Sequence, residues 1–484
     1  MSEFLTSIVW NGELYYPRDN SRYQATYFKP ARLDEIQNAW RKTLDLIRCG
    51  RAPADIGLYI HWPFCPSHCD FCACSMAVPR NENEMRDGLF SILKELDSFS
   101  EIFGGYPLSS LWMGGGTPTF MTDAQLNALF SHIRDSFSFS QKAQIYVEAS
   151  PATLTDSKLD ILVKYGVNRI TLGIQSLSDL VIKGANRQGQ SREKVLGIFQ
   201  KLRNFPGLVI DVDMMIGIAG QSRLDFLQDM ADVLRFRPHI LHVYSFDDRP
   251  QVPWSKQGGR VSKQQRGEHE IILTAADRLA LRAGYAQQHD DGVHPILYPW
   301  EEKQDGGLRK FRASVLGIGP SAISHAFGSA WYTHPPLTQK NDSEVLPFFW
   351  MKANIEEEMR GYAIWYLSQT GRLSRRGFLD LFNIDVMETP LAAILNSWEK
   401  DGKALINDDF VFLRDMRDLA DREVMLKDLY SKEITRALIS QWSSEMRAFN
   451  HSLPSKAKWR EKVFQQNSVP GFRVYHDGRF WRGL

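Results

Sequence analysis

Apolar residues follow two different periods through the first half of the chain. Six apolar runs between Ile56 and Phe246 are typical of β-strands: IGLYIHW, SSLWMGGG, QIYVEAS, RITLGIQS, LVIDVDMMIG and HILHVYSF. The segments between them carry apolar residues at helical spacing: EMRDGLFSILKELDSF, TDAQLNALFSHIRDSF, TDSKLDILVKYG, SREKVLGIFQKL and SRLDFLQDMADVLRF. Thr122, Thr155 and Ser191 stand where three of these helices begin and suit N-caps. Repeated β–α units predict a parallel sheet covered by helices.

The predicted fold class is α/β. An open doubly wound sheet and a closed or partly closed barrel both fit the pattern, and six units favour a partial (β/α)6 barrel of the TIM type. In parallel barrels the chemistry gathers at the C-terminal ends of the strands. The sequence places the cysteine-rich segment HWPFCPSHCDFCACS after the first strand and GGGTPT after the second. Glu148, Gln175 and Asp213 lie at or near the ends of the next three strands. These polar positions are therefore expected to surround one site.

Three regions are predicted along the chain. Residues 1–54 form an N-terminal arm with one helix at LDEIQNAWRKTLDLIR, residues 55–335 form the catalytic barrel, and residues 336–484 form a mostly helical C-terminal domain. Within the barrel region, residues 287–312 lose periodicity and are rich in Gly, Pro and charge, which predicts a long excursion or lid. The segment LGIGPSAISHAFG then resumes strand character.

The charge balance excludes bulk electrostatic attraction to a polyanion. The 484 residues include 58 Lys and Arg against 57 Asp and Glu, a formal net charge of +1. We therefore expect no nucleic-acid and no membrane partner. The sequence has no pattern of a secretory signal and no long apolar run, so a cytoplasmic location is expected.

Four of the five cysteines crowd into one short segment. Cys65, Cys69 and Cys72 offer soft ligands, which suit an iron–sulfur cluster, zinc or copper. A structural zinc site normally needs two separated ligand pairs, and here only Cys74 and His68 could complete a set. An iron–sulfur cluster is the favoured interpretation and zinc the alternative. Three cysteines holding a four-iron cluster would leave one iron open for chemistry.

The motifs around these cysteines resemble a known family. Tyr59-x-His61-x-Pro63-Phe64 precedes the first cysteine, Phe71 precedes the third, and WMGGGTPTF follows the second strand. Over roughly residues 58–325 the chain resembles the radical S-adenosylmethionine (SAM) superfamily. Within it, the chain is similar to the HemN-like group around oxygen-independent coproporphyrinogen III dehydrogenase, with its methyltransferase and cyclopropanase relatives. The resemblance implies a radical SAM barrel and a 4Fe–4S cluster on the three cysteines, with Cys74 outside the ligand set.

The same resemblance implies a set of cofactor-binding residues. The glycine-rich segment would receive the amino group of SAM, aromatic side chains would flank its methionine and adenine, and polar side chains would hold its ribose and carboxylate. The implied residues are Tyr59, Phe71, Gly115, Gly116, Thr117, Glu148, Gln175, Arg187 and Asp213. The family pattern also implies two bound SAM molecules and a low-potential electron donor such as flavodoxin or ferredoxin.

Three functions remain open for such a chain. We favour methyl or methylene transfer from a second SAM to an unsaturated carbon of a tetrapyrrole or another planar compound, because LRKFRASVLGIG departs from the porphyrinogen pattern while the SAM positions are kept. The extra cysteine in Cys72-x-Cys74 favours coproporphyrinogen III dehydrogenase, which acts by oxidative decarboxylation. A haem chaperone that keeps the cluster is the third hypothesis. No catalytic residue beyond the cofactor-binding set is identified.

Other polar groups have ordinary alternatives. Asp247, Asp248 and Arg249 fit a solvated turn or a wall of the substrate cavity equally well. Histidines are usually plain polar residues, although haem ligation is conceivable for His289, His294 and His325. The aromatic tail FRVYHDGRFWRGL is expected to pack on the barrel rather than bind nucleic acid, and Cys49 is given no role.

Overall fold

A computed structural model describes most of the chain. The described residues are 29–246, 248, 252–289, 295–299, 314–335, 337, 348–414, 425–429, 475–476 and 479–480. Asp247, Arg249 and His294, most of the predicted lid and most of the aromatic tail lie outside them.

The six predicted strands are all present. After β1 (Lys29–Ala31) and α1 (Leu33–Arg48), the parallel strands are β2 (Ile56–Trp62), β3 (Leu108–Gly115), β4 (Phe139–Ala149), β5 (Arg169–Gln175), β6 (Val209–Ile216) and β7 (Ile240–Ser245). The helices between them are α2 (Glu82–Phe103), α3 (Asp123–Ser136), α4 (Asp156–Lys164), α5 (Asp179–Gly184), α6 (Arg192–Leu202) and α7 (Arg223–Arg235). The alternation read from the sequence is therefore confirmed.

The predicted N-caps are also confirmed. The Thr122 side chain accepts a hydrogen bond from the Gln125 amide at 3.2 Å, and Ser191 accepts one from the Lys194 amide at 3.2 Å. Thr155 caps α4 in the same way. These caps satisfy backbone donors that have no partner within the helix, and so fix where each helix starts.

The second half of the chain completes the sheet and adds smaller elements. Helices α8 (Pro253–Lys256) and α9 (Lys263–Arg282) precede strands β8 (Tyr285–His289), β9 (Pro295–Pro299), β10 (Ser314–Ile318), β11 (Ile323–Ala326), β12 (Ala330–Thr333) and β13 (Phe348–Lys352). Then follow α10 (Ile355–Thr370), β14 (Arg372–Ser374), α11 (Arg375–Phe382), α12 (Ala392–Lys400), β15 (Ala404–Ile406), β16 (Phe410–Leu413), β17 (Tyr475–His476) and β18 (Arg479–Phe480).

The main sheet has thirteen strands in the order β1-β13-β12-β11-β10-β2-β3-β4-β5-β6-β7-β9-β8. Neighbours from β10 to β7 pair in parallel, which confirms the α/β class with a mostly parallel sheet. Two details differ from the sequence-based expectation. Strand β10 extends the parallel set beyond six by pairing with β2, and the start of the predicted lid contains the antiparallel pair β8 and β9.

Apolar cores of buried residues hold these elements together. The largest core lies between the parallel sheet and its helices and includes Ile36 and Trp40 of α1, both fully buried. A second core gathers the buried faces of α10, α11 and α12 around Phe378 and Trp398. The domain boundaries after residues 54 and 335 stay predictions. Among the described helices, none combines the length and apolar character needed to cross a bilayer.

Candidate active site

The cysteine loop leaves the C-terminal end of β2 and is closed by backbone hydrogen bonds. The Cys65 amide donates to the Ala77 carbonyl at 3.0 Å, and the Ala77 amide donates to the Pro63 carbonyl at 2.8 Å. Within the loop, the Cys72 amide donates to the Cys69 carbonyl at 3.0 Å. The loop therefore has a defined backbone before any ligand binds.

The turn after α5 clamps the same loop from outside. The Asp70 amide donates to the Ala185 carbonyl at 2.9 Å, and the Asn186 side chain donates to the His68 carbonyl at 3.0 Å. The Ser67 hydroxyl in turn donates to the Asn186 carbonyl at 3.0 Å. Since none of these bonds uses a cysteine side chain, they orient the thiols without occupying them.

The three predicted ligand thiols have individual polar neighbours. Cys65 Sγ lies 3.1 Å from the Thr117 hydroxyl, and Arg187 Nη1 donates to Cys69 Sγ at 3.7 Å. Burial raises the pKa of Cys65 to about 12 and also raises the pKa of Cys69. The hydrogen bond from Cys74 lowers the pKa of Cys72 to about 7. Buried thiols of this kind suit a metal centre, whose positive charge stabilises the thiolate form.

The glycine-rich segment at the end of β3 packs tightly against the chain that leads into the cysteine loop. The Gly116 amide donates to the Trp62 carbonyl at 2.6 Å, and a Cβ atom on Gly116 would lie 2.7 Å from the Phe64 carbonyl oxygen. Gly115 has φ +100°, and a Cβ there would lie 2.7 Å from the His61 ring. The glycines are therefore required by backbone packing, in addition to any approach of a ligand.

The thiols and the predicted polar residues share one cavity of about 420 Å³. Its lining includes eight of the nine predicted cofactor-binding residues together with all four cysteines of the loop: Phe71, Gly115, Gly116, Thr117, Glu148, Gln175, Arg187, Asp213, Cys65, Cys69, Cys72 and Cys74. Two buried oxygens of this lining, Gln175 Oε1 and Asp213 Oδ1, have no hydrogen-bond partner among the described residues. They are available to a ligand. His68, one of the two additional ligands considered for zinc, does not line the cavity.

Tyr59 is the exception among the predicted residues. Its hydroxyl lies 2.8 Å from His61 Nδ1, its ring lies 4.7 Å from that of Trp112, and it does not line the cavity. The physical reason is strand geometry, since Tyr59 lies two residues before His61 on β2 and so one layer deeper in the barrel. Burial lowers the pKa of His61 to about 4, so its ring is neutral. The ring lies between the Tyr59 hydroxyl and the Ser75 carbonyl oxygen, which is 2.8 Å from His61 Nε2.

Two carboxyl groups of the cavity have raised pKa values. Burial and the charge of Asp213 raise the pKa of Glu148 to about 8, although Trp112 Nε1 donates to Glu148 Oε1 at 3.0 Å. Burial raises the pKa of Asp213 to about 6. At neutral pH, Glu148 is therefore mostly protonated and able to donate a hydrogen bond, while Asp213 is mostly ionised.

The Arg187 side chain is held by a backbone carbonyl, and Gln175 has an unusual backbone conformation. Arg187 Nη2 donates to the Gly173 carbonyl at 2.5 Å, and its guanidinium lies 6.0 Å from the centre of the Phe71 ring. Gln175 ends β5 with φ 67°, next to an irregularity in the pairing with β6. A left-handed residue at a strand end costs free energy, and such irregularities commonly redirect a side chain next to a binding site.

The sequence reading missed a polar layer directly beneath the cavity. Asp211 pairs with Arg169 on one neighbouring strand and with His242 on the other, and Tyr244 joins His242 to the cavity wall. The signal was present in the alternation, because Asp211 and Asp213 stand two apart in an otherwise apolar strand, as His242 and Tyr244 do in the next.

Other candidate groups serve the fold. Asp248 accepts hydrogen bonds from the Val261 amide and from Arg266, both at 3.1 Å, and does not line the cavity. Buried His325 lies 2.9 Å from Glu358 through its Nε2 atom, in a pair that is far from open solvent. Neither arrangement leaves the side chain directed at a large ligand.

Known proteins resemble this chain over the region that carries the site. Residues 59–233 match the family described as Radical SAM superfamily. The oxygen-independent coproporphyrinogen III oxidase of Escherichia coli is 29% identical over 285 residues, which cover 56% of this chain and 61% of that protein. The heme chaperone HemW of Buchnera aphidicola is 27% identical over 309 residues, covering 63% of this chain and 76% of the relative.

A solved structure supports the fold. The structure of coproporphyrinogen III oxidase (HemN) from Escherichia coli superposes with a TM-score of 0.66 at 22% identity, covering 84% of this chain and 97% of that one. Within the radical SAM superfamily, the chain is similar to the HemN-like group. That family implies a 4Fe–4S cluster and SAM as cofactors and confirms the prediction of an enzyme of the radical SAM kind. The sequence aligns with less than two thirds of the Escherichia coli relative.

Proposed function

We propose that this chain holds a 4Fe–4S cluster on Cys65, Cys69 and Cys72 and binds SAM in the adjoining cavity. The observation that carries the proposal is that the three thiols line the same 420 Å³ cavity as the unpartnered oxygens of Gln175 and Asp213. Soft thiolate ligands suit iron, and unpaired buried oxygens suit the hydroxyl and ammonium groups of SAM. The residues present therefore fit both groups.

When bound, the cluster and SAM supply a one-electron reductive cleavage that yields a 5′-deoxyadenosyl radical. The residues of the chain bind and orient these two groups. Arg187 places a positive charge beside Cys69 and within reach of a carboxylate, and protonated Glu148 offers a hydrogen-bond donor. The buried wall behind them excludes water from one side of the cavity. We propose a low-potential flavodoxin or ferredoxin as electron donor.

For the reaction itself, the proposal is methyl or methylene transfer from a second SAM to an unsaturated carbon of a tetrapyrrole or another planar compound. Two observations support it. The predicted SAM-binding residues are gathered around one cavity, whereas the sequence just before β10 departs from the porphyrinogen pattern. The Escherichia coli coproporphyrinogen oxidase is also matched over only 61% of its length.

Oxidative decarboxylation of coproporphyrinogen III is the second candidate. Cys74 lines the cavity beside Cys72, and the Escherichia coli and Salmonella relatives carry the name oxygen-independent coproporphyrinogen III oxidase. A haem chaperone is the third, since one relative is named HemW.

One experiment separates these functions. Anaerobically reconstituted protein is reduced with dithionite and incubated with SAM and either coproporphyrinogen III or haem, and the products are followed by mass spectrometry. S-Adenosylhomocysteine with 5′-deoxyadenosine indicates methyl transfer, 5′-deoxyadenosine with carbon dioxide indicates decarboxylation, and haem binding with neither indicates a chaperone. A Cys65→Ala variant serves as the inactive control. Absence of SAM-dependent change in the electron paramagnetic resonance signal of the cluster would overturn the proposal.

A further inference from the structure

A connected polar network lies beneath the SAM cavity, on strands β5, β6 and β7. In the parallel register Thr171 is opposite Asp211, and Asp213 is opposite both Gly173 and His242. Residues two apart on a strand share a face, so Asp211 and Asp213 lie on the side of the sheet that carries His242. The strand order thus brings charged groups together that are well separated in sequence.

Asp211 anchors the network at its buried end. It is only 1% exposed, and its Oδ2 atom accepts from Arg169 Nη2 at 2.5 Å and from the Thr171 hydroxyl at 3.0 Å. Its Oδ1 atom lies 3.2 Å from His242 Nε2. Burial alone would lower the pKa of His242, but the charge and hydrogen bond of Asp211 and the charge of Asp213 together outweigh burial, so the pKa is raised overall.

Tyr244 carries the network from His242 to the cavity. Its hydroxyl lies 3.1 Å from His242 Nδ1, hydrogen-bonds to Asp213 and lines the cavity. A phenol has one proton to donate, while a charged imidazole donates from both ring nitrogens. When His242 is charged, its Nδ1–H is directed at the Tyr244 oxygen, and the single phenolic proton is directed at Asp213.

We propose that His242 is a positioning residue for SAM, acting through Tyr244 to fix the carboxylate of Asp213 so that its unpartnered Oδ1 atom receives a ribose hydroxyl. This inference rests on the proposed function, because it takes Asp213 as a ligand of the SAM ribose. Arg169 and Thr171 hold Asp211, and Asp211 holds His242. Each residue of this network orients the next one.

A divalent cation is the competing occupant of this cluster. Ligand atoms of Asp211, Asp213 and His242 all lie within 4.8 Å of one another. However, Arg169 already places a full positive charge 2.5 Å from Asp211, which disfavours a second cation at the same carboxylate. The hydrogen-bonded network therefore accounts better for the arrangement.

The test compares SAM with analogues that lack one ribose hydroxyl. Dissociation constants of SAM, 2′-deoxy-SAM and 3′-deoxy-SAM are measured by calorimetry on anaerobically reconstituted wild type, His242→Gln and Tyr244→Phe. We expect both variants to bind SAM about 10-fold more weakly, the size of a lost hydrogen bond to a charged group, and to bind one deoxy analogue as wild type does. His132→Gln is the matched control, because His132 pairs with Asp97 on the helical surface.

Each outcome decides the inference. Equal weakening for SAM and both analogues, or no weakening in either variant, would overturn it, provided that iron content and circular dichroism match wild type. If His242→Gln does not fold, Tyr244→Phe alone decides, since it removes only a hydroxyl. Stoichiometric zinc or manganese in wild type that is absent from His242→Gln would also overturn it. Failure of the wild type to bind SAM at all would instead refute the proposed function.

Discussion

Ser75 and Ser321 join the end of the cysteine loop to the turn after β10, with their hydroxyl oxygens 2.6 Å apart. The Ser75 carbonyl also accepts a hydrogen bond from neutral His61. Ser321 adopts φ 64° and donates its amide to the Pro335 carbonyl at 3.1 Å. The loop that carries the thiols is therefore fixed to β2 on one side and to the turn after β10 on the other.

Removing this link is expected to loosen the loop. In a Ser75→Ala variant the lost hydrogen bond costs about 1 kcal/mol, so a reconstituted cluster should be lost to a chelator about fivefold faster. The decay of the cluster absorbance in the presence of EDTA measures this. Ser91→Ala is the control, because its hydroxyl bonds only within α2. Equal decay rates in the two variants would show that the contact is unimportant.

Replacing Cys65, Cys69 or Cys72 by Ala should abolish the brown cluster absorbance, because a cluster held by three thiolates tolerates the loss of none. Cys74→Ala should keep that absorbance, and exposed Cys49→Ala is the control for removing a thiol outside the loop. Iron and sulfide content per chain complete the measurement. Loss of the cluster from the Cys74 variant would mean that a fourth cysteine fills the open iron position.

Substitution of Gly116 by Ala should destabilise the protein by about 2–4 kcal/mol, since the new Cβ would lie 2.7 Å from the Phe64 carbonyl and 2.9 Å from that of Trp62. Gly197→Ala is the matched control. A Cβ at that position in α6 meets no atom within 4 Å, so the change should stabilise by about 0.5–1 kcal/mol. Urea unfolding of both variants provides the comparison, and a neutral effect at Gly116 would contradict the described packing.

The raised pKa of Glu148 predicts a pH-dependent stability. Its folded pKa of about 8 lies above the ordinary 4.5, so the folded protein binds the extra proton and this contribution is fully present below pH 4.5. It is lost as the pH rises through 8. The unfolding free energy of the apoprotein should therefore fall from pH 5 to pH 8.5, by about 4 kcal/mol more in wild type than in Glu148→Gln. Parallel pH profiles would refute the assignment.

The sequence predicted the strands, the caps and the wall of the cavity because these depend on local periodicity and on motifs. Residues such as Gln175 and Asp213 could be placed at strand ends by counting along each strand. The pairing of β10 with β2 could not be predicted, since it depends on contacts between distant segments. Tyr59 lies one layer deeper than the cavity lining, so its contact with the cofactor stays a prediction. The Arg169–Asp211–His242 network could not be predicted, because it depends on the strand order.

The pairing of Ser314 with Ile56 has a consequence for biosynthesis. These residues are about 260 positions apart, so the strand that leads into the cysteine loop is translated long before the strand that flanks it. During that interval the neighbouring edge of β2 is open and the thiols are unprotected against air. We expect the metal to be inserted only after the ribosome has passed β10, which makes premature termination upstream of this strand incompatible with a loaded protein.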